Sequence, residues 1–240
     1  MSEISLIILL TIGSGGCMLI GGLLASVESI RPRWLEQELR HFLIALGGGV
    51  LLGAVALVLV PEGKHQFAYP GWSVALVLLG GLTFFALEWR LGLKRRQSPQ
   101  LMGMVLDYFP EAIALGGMVV VDPQSAWLLA VLIGLQNLPE GFNAFRELCE
   151  QNGQSVRRTL LTMTALTALG PVAGLSGYFF LSAEPAILGA IMLFSAGGIL
   201  YLIFQDIAPQ ARLERHWGPP LGAVVGFCFV LLGEVLTKTH

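Results

Sequence analysis

The sequence is poor in charge. Only 12% of its 240 residues are Asp, Glu, Lys or Arg, while 55% are hydrophobic, and mean hydropathy is +0.73. A soluble domain carries about twice that share of charge, so this composition points to lipid as the solvent. Cysteine is scarce too: Cys17, Cys149 and Cys228 lie far apart with no CxxC pair, which excludes a disulfide frame or a thiolate zinc site. The four histidines, His41, His65, His216 and His240, fall at or near the ends of apolar segments. No HExxH, GxSxG or Ser/His constellation lies within those segments. A net charge of -2 and a pI near 6.1 give no basic surplus and no nucleic-acid partner. The acidic start, Met1-Ser2-Glu3, precedes an apolar run longer than a signal-peptide core, so it reads as a retained first helix.

What the chain does hold is a series of apolar stretches of spanning length. A transmembrane helix needs roughly 20 apolar residues, and eight stretches qualify, near 4–26, 41–60, 71–91, 100–121, 124–146, 158–182, 185–208 and 219–237. The charged stretch 27–40, with Trp34, Leu35 and Leu39 among its arginines and glutamates, predicts a short interfacial helix. Pro70, Pro99, Pro123 and Pro219 stand at segment entrances, where a missing N–H costs least. The loops after odd-numbered segments hold twelve of the fourteen Lys and Arg residues; the other side has only Lys64 and Lys238. Because basic residues mark cytoplasmic loops, the expectation is an all-α integral membrane protein. It forms one domain over 1–240, with eight spans and both termini outside the cytoplasm.

Small residues gather where helices would cross closely, as at Gly13 to Gly16, Gly47 to Gly49 with Gly53, Gly80-Gly81, Gly116-Gly117 and Gly197-Gly198. They read as packing positions. Two polar interruptions do not. Asp107-Tyr108-Phe109-Pro110-Glu111 and Gln136-Asn137-Leu138-Pro139-Glu140 are one pattern written twice, each with a polar side chain one helical turn before a glutamate and a proline immediately ahead of it. Asp107, Glu111 and Glu140 lie well inside the fourth and fifth segments, whose apolar cores contain no Lys or Arg. Carboxylates at that depth need pairing, hydration or a cation. A divalent cation held by Asp107, Glu111, Gln136 and Glu140 supplies the missing countercharge. The alternative is a protonated, hydrogen-bonded pair that fixes helix packing. The prolines are expected to open or kink both helices and free backbone oxygens. Asn143 extends the stripe three residues past Glu140, and Met104 precedes Asp107 as either a soft contact or a core methionine.

At these two stretches the chain resembles the ZIP (Zrt/Irt-like) family of divalent-metal transporters. Gln136-Asn137-Leu138-Pro139-Glu140-Gly141 is close to its fifth-helix motif, and Asp107 to Ala112 is a looser copy in the fourth. The runs Gly47 to Gly63 and Gly197 to Pro209 look like the second and seventh helices. The resemblance implies an eight-helix fold in which helices one to three and six to eight are inverted repeats flanking four and five. It also implies metal movement toward the cytosol, by sliding of one bundle against another, and a homodimer. Family members commonly carry histidine where this chain has Asp107 and Gln136, and often at Val58. Ligation is therefore expected to be nearly all oxygen, suiting Mn(II) or Fe(II) as well as Zn(II) or Cd(II). A second metal position in many members corresponds to Tyr108, Asn137 and Gly170, so one good site is expected, with the second degraded or absent. The family's histidine-rich loop between helices three and four is missing. Gln205 and Asp206 fall where pathway ligands are expected, or are simply polar residues meeting the interface.

The reading is a metal transporter in a prokaryotic plasma (inner) membrane, with no resident cofactor and with Asn137, Asn143, Gln205 and Asp206 as secondary or pathway residues. The alternatives are a relative that binds metal without moving it, and an intramembrane hydrolase using Glu111 and Glu140 as acid and base.

Overall fold

A computed structural model of the chain describes residues 2–27, 33–91, 99–151, 153–181, 184–212 and 217–238, with backbone alone at 33–37, 91, 99–100, 102–103, 106–107, 150–151, 181 and 237–238. Among the described residues every regular element is a helix: α1 (Glu3–Val27), α2 (Arg33–Gly53), α3 (Val60–His65), α4 (Pro70–Leu91), α5 (Pro99–Val121), α6 (Pro123–Arg146), α7 (Val156–Leu181), α8 (Pro185–Leu202), α9 (Ala208–Ala211) and α10 (Gly218–Lys238). Three wider π-helical stretches join them, Ala54–Leu59, Glu147–Gln151 and Ile203–Ile207.

Prolines open the helices as their chemistry requires. Pro70, Pro99, Pro123 and Pro185 are first residues of α4, α5, α6 and α8. Asp122 caps α6, its carboxylate accepting from the amides of Gln124 at 3.1 Å and Ser125 at 3.3 Å. Among the described residues six helices are long and apolar enough to cross a membrane: Glu3–Val27, Glu38–His65, Pro70–Arg90, Val156–Phe180, Pro185–Ala211 and Gly218–Leu236. The remaining two, α5 and α6, carry the duplicated polar pattern. At 24 residues, α6 is about 36 Å long, enough to span. The molecule is an all-helical, multi-pass membrane protein.

The core gathers around α6, whose Leu129, Ile133 and Ala144 are fully buried, whereas α4 presents Trp72, Leu78, Leu82 and Trp89 outward. Neighbours fall into two blocks. α1, α5, α6 and α7 pack on one another, and α2 packs on α10 while α4 packs on α8. The crossings are made by glycine. A Cβ on Gly21 or Gly141 would strike the facing backbone between α1 and α6, and one on Gly116 or Gly177 would do so between α5 and α7.

Two expectations change. The stretch 27–40 is no separate interfacial helix: Val27 ends α1, 28–32 lie outside the described residues, and from Arg33 the chain is already α2. Leu35 to Leu46 contains neither Gly nor Pro, so nothing stops the helix before the first glycine at 47. Nor do Pro110 and Pro139 open their helices, since α5 and α6 run through them in α-geometry. The widening lies elsewhere, at Ala54–Leu59 and Ile203–Ile207. There the amides of Val60 and Ala208 reach back five residues to Val55 and Ile203. Pro61 and Pro209 follow one residue later. A proline cannot donate to the carbonyl four residues before it, and a local π turn rearranges the ladder just upstream.

Candidate metal centre

Positions 136, 140 and 143 of α6, with 147 at the start of the stretch that follows it, recur every three or four residues and share one face. That face meets α5, where Glu111 is 1% exposed and Gln136 is fully buried. The Gln136 Nε2 donates to both Glu111 oxygens, 2.9 Å to Oε1 and 2.8 Å to Oε2. One amide nitrogen thus bridges both carboxylate oxygens, and the Gln136 Oε1 is left buried without a hydrogen-bond partner.

One turn further on, both Glu140 oxygens and the Asn143 Oδ1 are buried with no hydrogen-bond partner. Leaving such groups unmade costs of order 1–3 kcal/mol each, more for a charge. Glu140 and Asn143 line a cavity of about 40 Å3, room for an ion with about one or two waters. Its opposite wall is Gly47 and Gly48 of α2 with Asp206 and Ile207 of the π-helical stretch. Gln210, one turn after Asp206, donates to its Oδ1 at 2.6 Å and aims it. Glu111 and Asp206 are charged neighbours of Glu140, and no Lys or Arg stands among the described residues that line the cavity. Like charges therefore converge on a space with oxygen donors and no cation.

The cavity lies on the boundary between the two blocks. Met104, Pro139, Glu140 and Asn143 come from α5 and α6; Leu43, Ile44, Gly47, Gly48, Leu202, Asp206, Ile207 and Gln210 come from α2, α8 and the elements following α8. Among the described residues no three His, Cys, Asp or Glu side chains stand close enough to hold one ion. The oxygen set that does converge mixes carboxylates with amides.

Of the residues singled out from sequence, Glu111 and Gln136 meet each other, and Glu140, Asn143 and Asp206 meet at the cavity. Asp107 lies on α5 one turn before Glu111, and its side chain is outside the described residues. Met104 is buried and touches the cavity wall. Asn137 turns away: its Nδ2 donates to the Ser14 carbonyl at 3.1 Å. Tyr108 does likewise, its hydroxyl donating to the Thr11 carbonyl at 2.6 Å. That hydroxyl sits against Gly15 and Gly170, where a Cβ would collide with it. Tyr108, Asn137 and Gly170 thus form a seam joining α1, α5, α6 and α7. Gln205 also faces elsewhere, donating at 2.9 Å to Glu88 on α4, which accepts from the Tyr201 hydroxyl as well.

Sequence reasoning passed over Gln210 and Glu147. Gln210 is four residues after Asp206, a spacing visible in the chain. Glu147, 5% exposed, continues the 136-140-143 stripe into the stretch that ends α6, where charge beside Arg146 resembles an ordinary helix end.

No family model matches the chain. It is similar to zinc transporter ZIP9 of Xenopus tropicalis, 25% identical over an alignment of 284 positions that covers 90% of this chain and 91% of that protein. It is similar to zinc transporter ZIP9-A of Xenopus laevis at the same identity and coverage. Likeness across nine-tenths of the chain, at low identity, supports the ZIP resemblance carried by the motif pair.

Proposed function

We propose that this chain is a membrane transporter that carries divalent metal ions into the cytosol through the carboxylate and amide site on α5 and α6. The observation that carries the reading is Glu140: two buried carboxylate oxygens without a hydrogen-bond partner, facing a cavity shared with Asn143 and Asp206. A visiting cation would satisfy both oxygens at once, which a protonated carboxyl in the same place does not do. The two relatives named as zinc transporters support the same reading.

The donors would be Glu140, Asn143 and Asp206 at the cavity, with Glu111, Gln136 and Asp107 one or two turns along. Oxygen ligands suit zinc, iron or manganese, and the balance between binding and release comes from mixing carboxylates with neutral amides. Glu111 would join the ion by releasing the Gln136 amide, which then offers its own oxygen. The remaining arrangement belongs to the same proposal: eight spans, both termini outside the cytoplasm, inverted repeats around α5 and α6, a homodimer, and a plasma (inner) membrane of prokaryotic type. The neighbour pattern supports the repeats, because α2 on α10 answers α4 on α8, and the π stretch before Pro61 answers the one before Pro209. A cavity on the block boundary supports elevator-like sliding, since displacing one block moves Glu140 relative to Asp206.

The test is uptake of radiolabelled zinc, iron, manganese and cadmium into proteoliposomes. Flux of at least one ion that disappears in Glu140→Ala and Glu111→Ala is expected; unchanged flux in both variants defeats the assignment. Saturable metal binding with no flux identifies a metal-binding relative that does not transport.

A further inference from the structure

Beside the cation cavity lies a far larger groove of about 770 Å3, inside the roughly 300–1,000 Å3 range of ligand clefts. Its walls are Ala45, Gly49 and Leu52 of α2, Ala208 of α9 and Ala223 of α10. Small side chains leave the space open, and the walls are apolar. One charged residue, Arg212, stands among the described lining residues, exposed at the end of α9. Trp217 at the same end is 89% exposed, and Phe204 is 70% exposed. An exposed indole and a guanidinium at one end of an apolar groove fit a headgroup layer.

We propose that this groove binds one anionic phospholipid, an acyl chain lying between α2 and Ile203–Ile207 and its phosphate on Arg212. The charge pattern commits the site to that occupant. An uncharged amphiphile leaves the guanidinium unused, a free phosphate leaves the apolar walls unused, and a planar guanidinium forks onto phosphate oxygens. The site has a direct mechanical neighbour. Gly48 and Ile207 line both this groove and the cation cavity, and a Cβ on Gly48 would come within 2.8 Å of the Ile207 Cγ2. A lipid chain seated here would lie against the partition behind which Asp206 stands. The inference rests on the membrane reading of the chain.

The experiment is native mass spectrometry of the full chain in detergent with dioleoylphosphatidylglycerol and dioleoylphosphatidylcholine at matched concentration. Phosphatidylglycerol retained several-fold over phosphatidylcholine is expected, with the preference abolished in Arg212→Gln, partly kept in Arg212→Lys, and both lipids lost in Ala208→Phe. Brominated phosphatidylglycerol should quench a fluorescence component that is missing in Trp217→Phe, a readout that works on the unmodified groove. Equal retention of the two lipids overturns the proposal. So does a preference that survives Arg212→Gln, competition by inorganic phosphate at lipid concentrations, or a lipid-free dimer showing the groove filled by a second copy. None of these measurements reads metal flux, so their failure and that of the transport reading are told apart.

Discussion

Gln136 spends its amide on both oxygens of Glu111, at 2.9 and 2.8 Å, across the α5–α6 boundary. Glu140, one turn further along the same helix, has no such partner for either oxygen. Two glutamates from a duplicated pattern are thus in different states. One is neutralised in part by a dipole, and the other is exposed to whatever enters the cavity.

The first prediction separates them. Glu140→Gln should lower metal uptake at least about tenfold, the effect of about 1.4 kcal/mol lost at the site. It should leave the metal-free protein as stable as before or more so, because an uncompensated buried charge is gone. Glu111→Gln should lower uptake and also melting temperature, since the amide of Gln136 then loses its ionised acceptor. Uptake assays paired with thermal unfolding in detergent measure both.

Metal should stabilise the fold through the same oxygens. Ligand at about 100 times its Kd adds about 2.7 kcal/mol. The unfolding midpoint should therefore rise with added zinc or manganese, fall back with chelator, and stay flat in Glu140→Gln. A midpoint that responds equally in the variant places the ion elsewhere.

Helix α8 and its continuation offer a sharper comparison. Asp206→Asn should reduce uptake, because Asp206 lines the cavity with Glu140. Gln205→Ala should leave uptake within about twofold while lowering stability by about 0.6 kcal/mol, a usual value for a polar contact between membrane helices. Equal effects of the two on flux contradict the opposed directions of these neighbours.

The seam around Tyr108 makes a prediction about packing alone. Gly170→Ala should destabilise by about 1–3 kcal/mol, because its new methyl meets the Tyr108 hydroxyl. Tyr108→Phe should cost about 0.5–1.5 kcal/mol by itself yet soften the Gly170→Ala penalty. A double-mutant cycle of unfolding free energies reads the coupling.

Much of this was legible in the chain. Apolar length and prolines at helix entrances located the helices, and the repeated polar pattern located Glu111 and Glu140 inside them, because those features depend on local composition and on period. The rest depended on partners distant in sequence. Tyr108 bonds to Thr11, 97 residues away, so nothing near Tyr108 revealed that its phenol joins helices. Gln205 and Asp206 are adjacent, and only the π-helical register decides that one meets Glu88 and the other the cavity. The widening before Pro61 and Pro209 was not foreseen. Pro110 and Pro139 are held in α-geometry within α5 and α6, whereas the helices preceding Pro61 and Pro209 widened.

Glu140 and Asp206 stand on opposite sides of the boundary between the two blocks, and that gives the proposed transport cycle an electrical character. If the blocks slide, Glu140 travels with its own block while Asp206 stays with the other. A loaded stroke with Glu111 and Glu140 both ionised then moves the ion's two positive charges with two negative ones, and an empty return moves the two negative charges alone. Each unit of charge crossing the full field is worth about 2.3 kcal/mol per 100 mV. An inside-negative potential therefore favours the outward empty return and leaves the loaded stroke nearly indifferent, so voltage acts on the resetting half of the cycle.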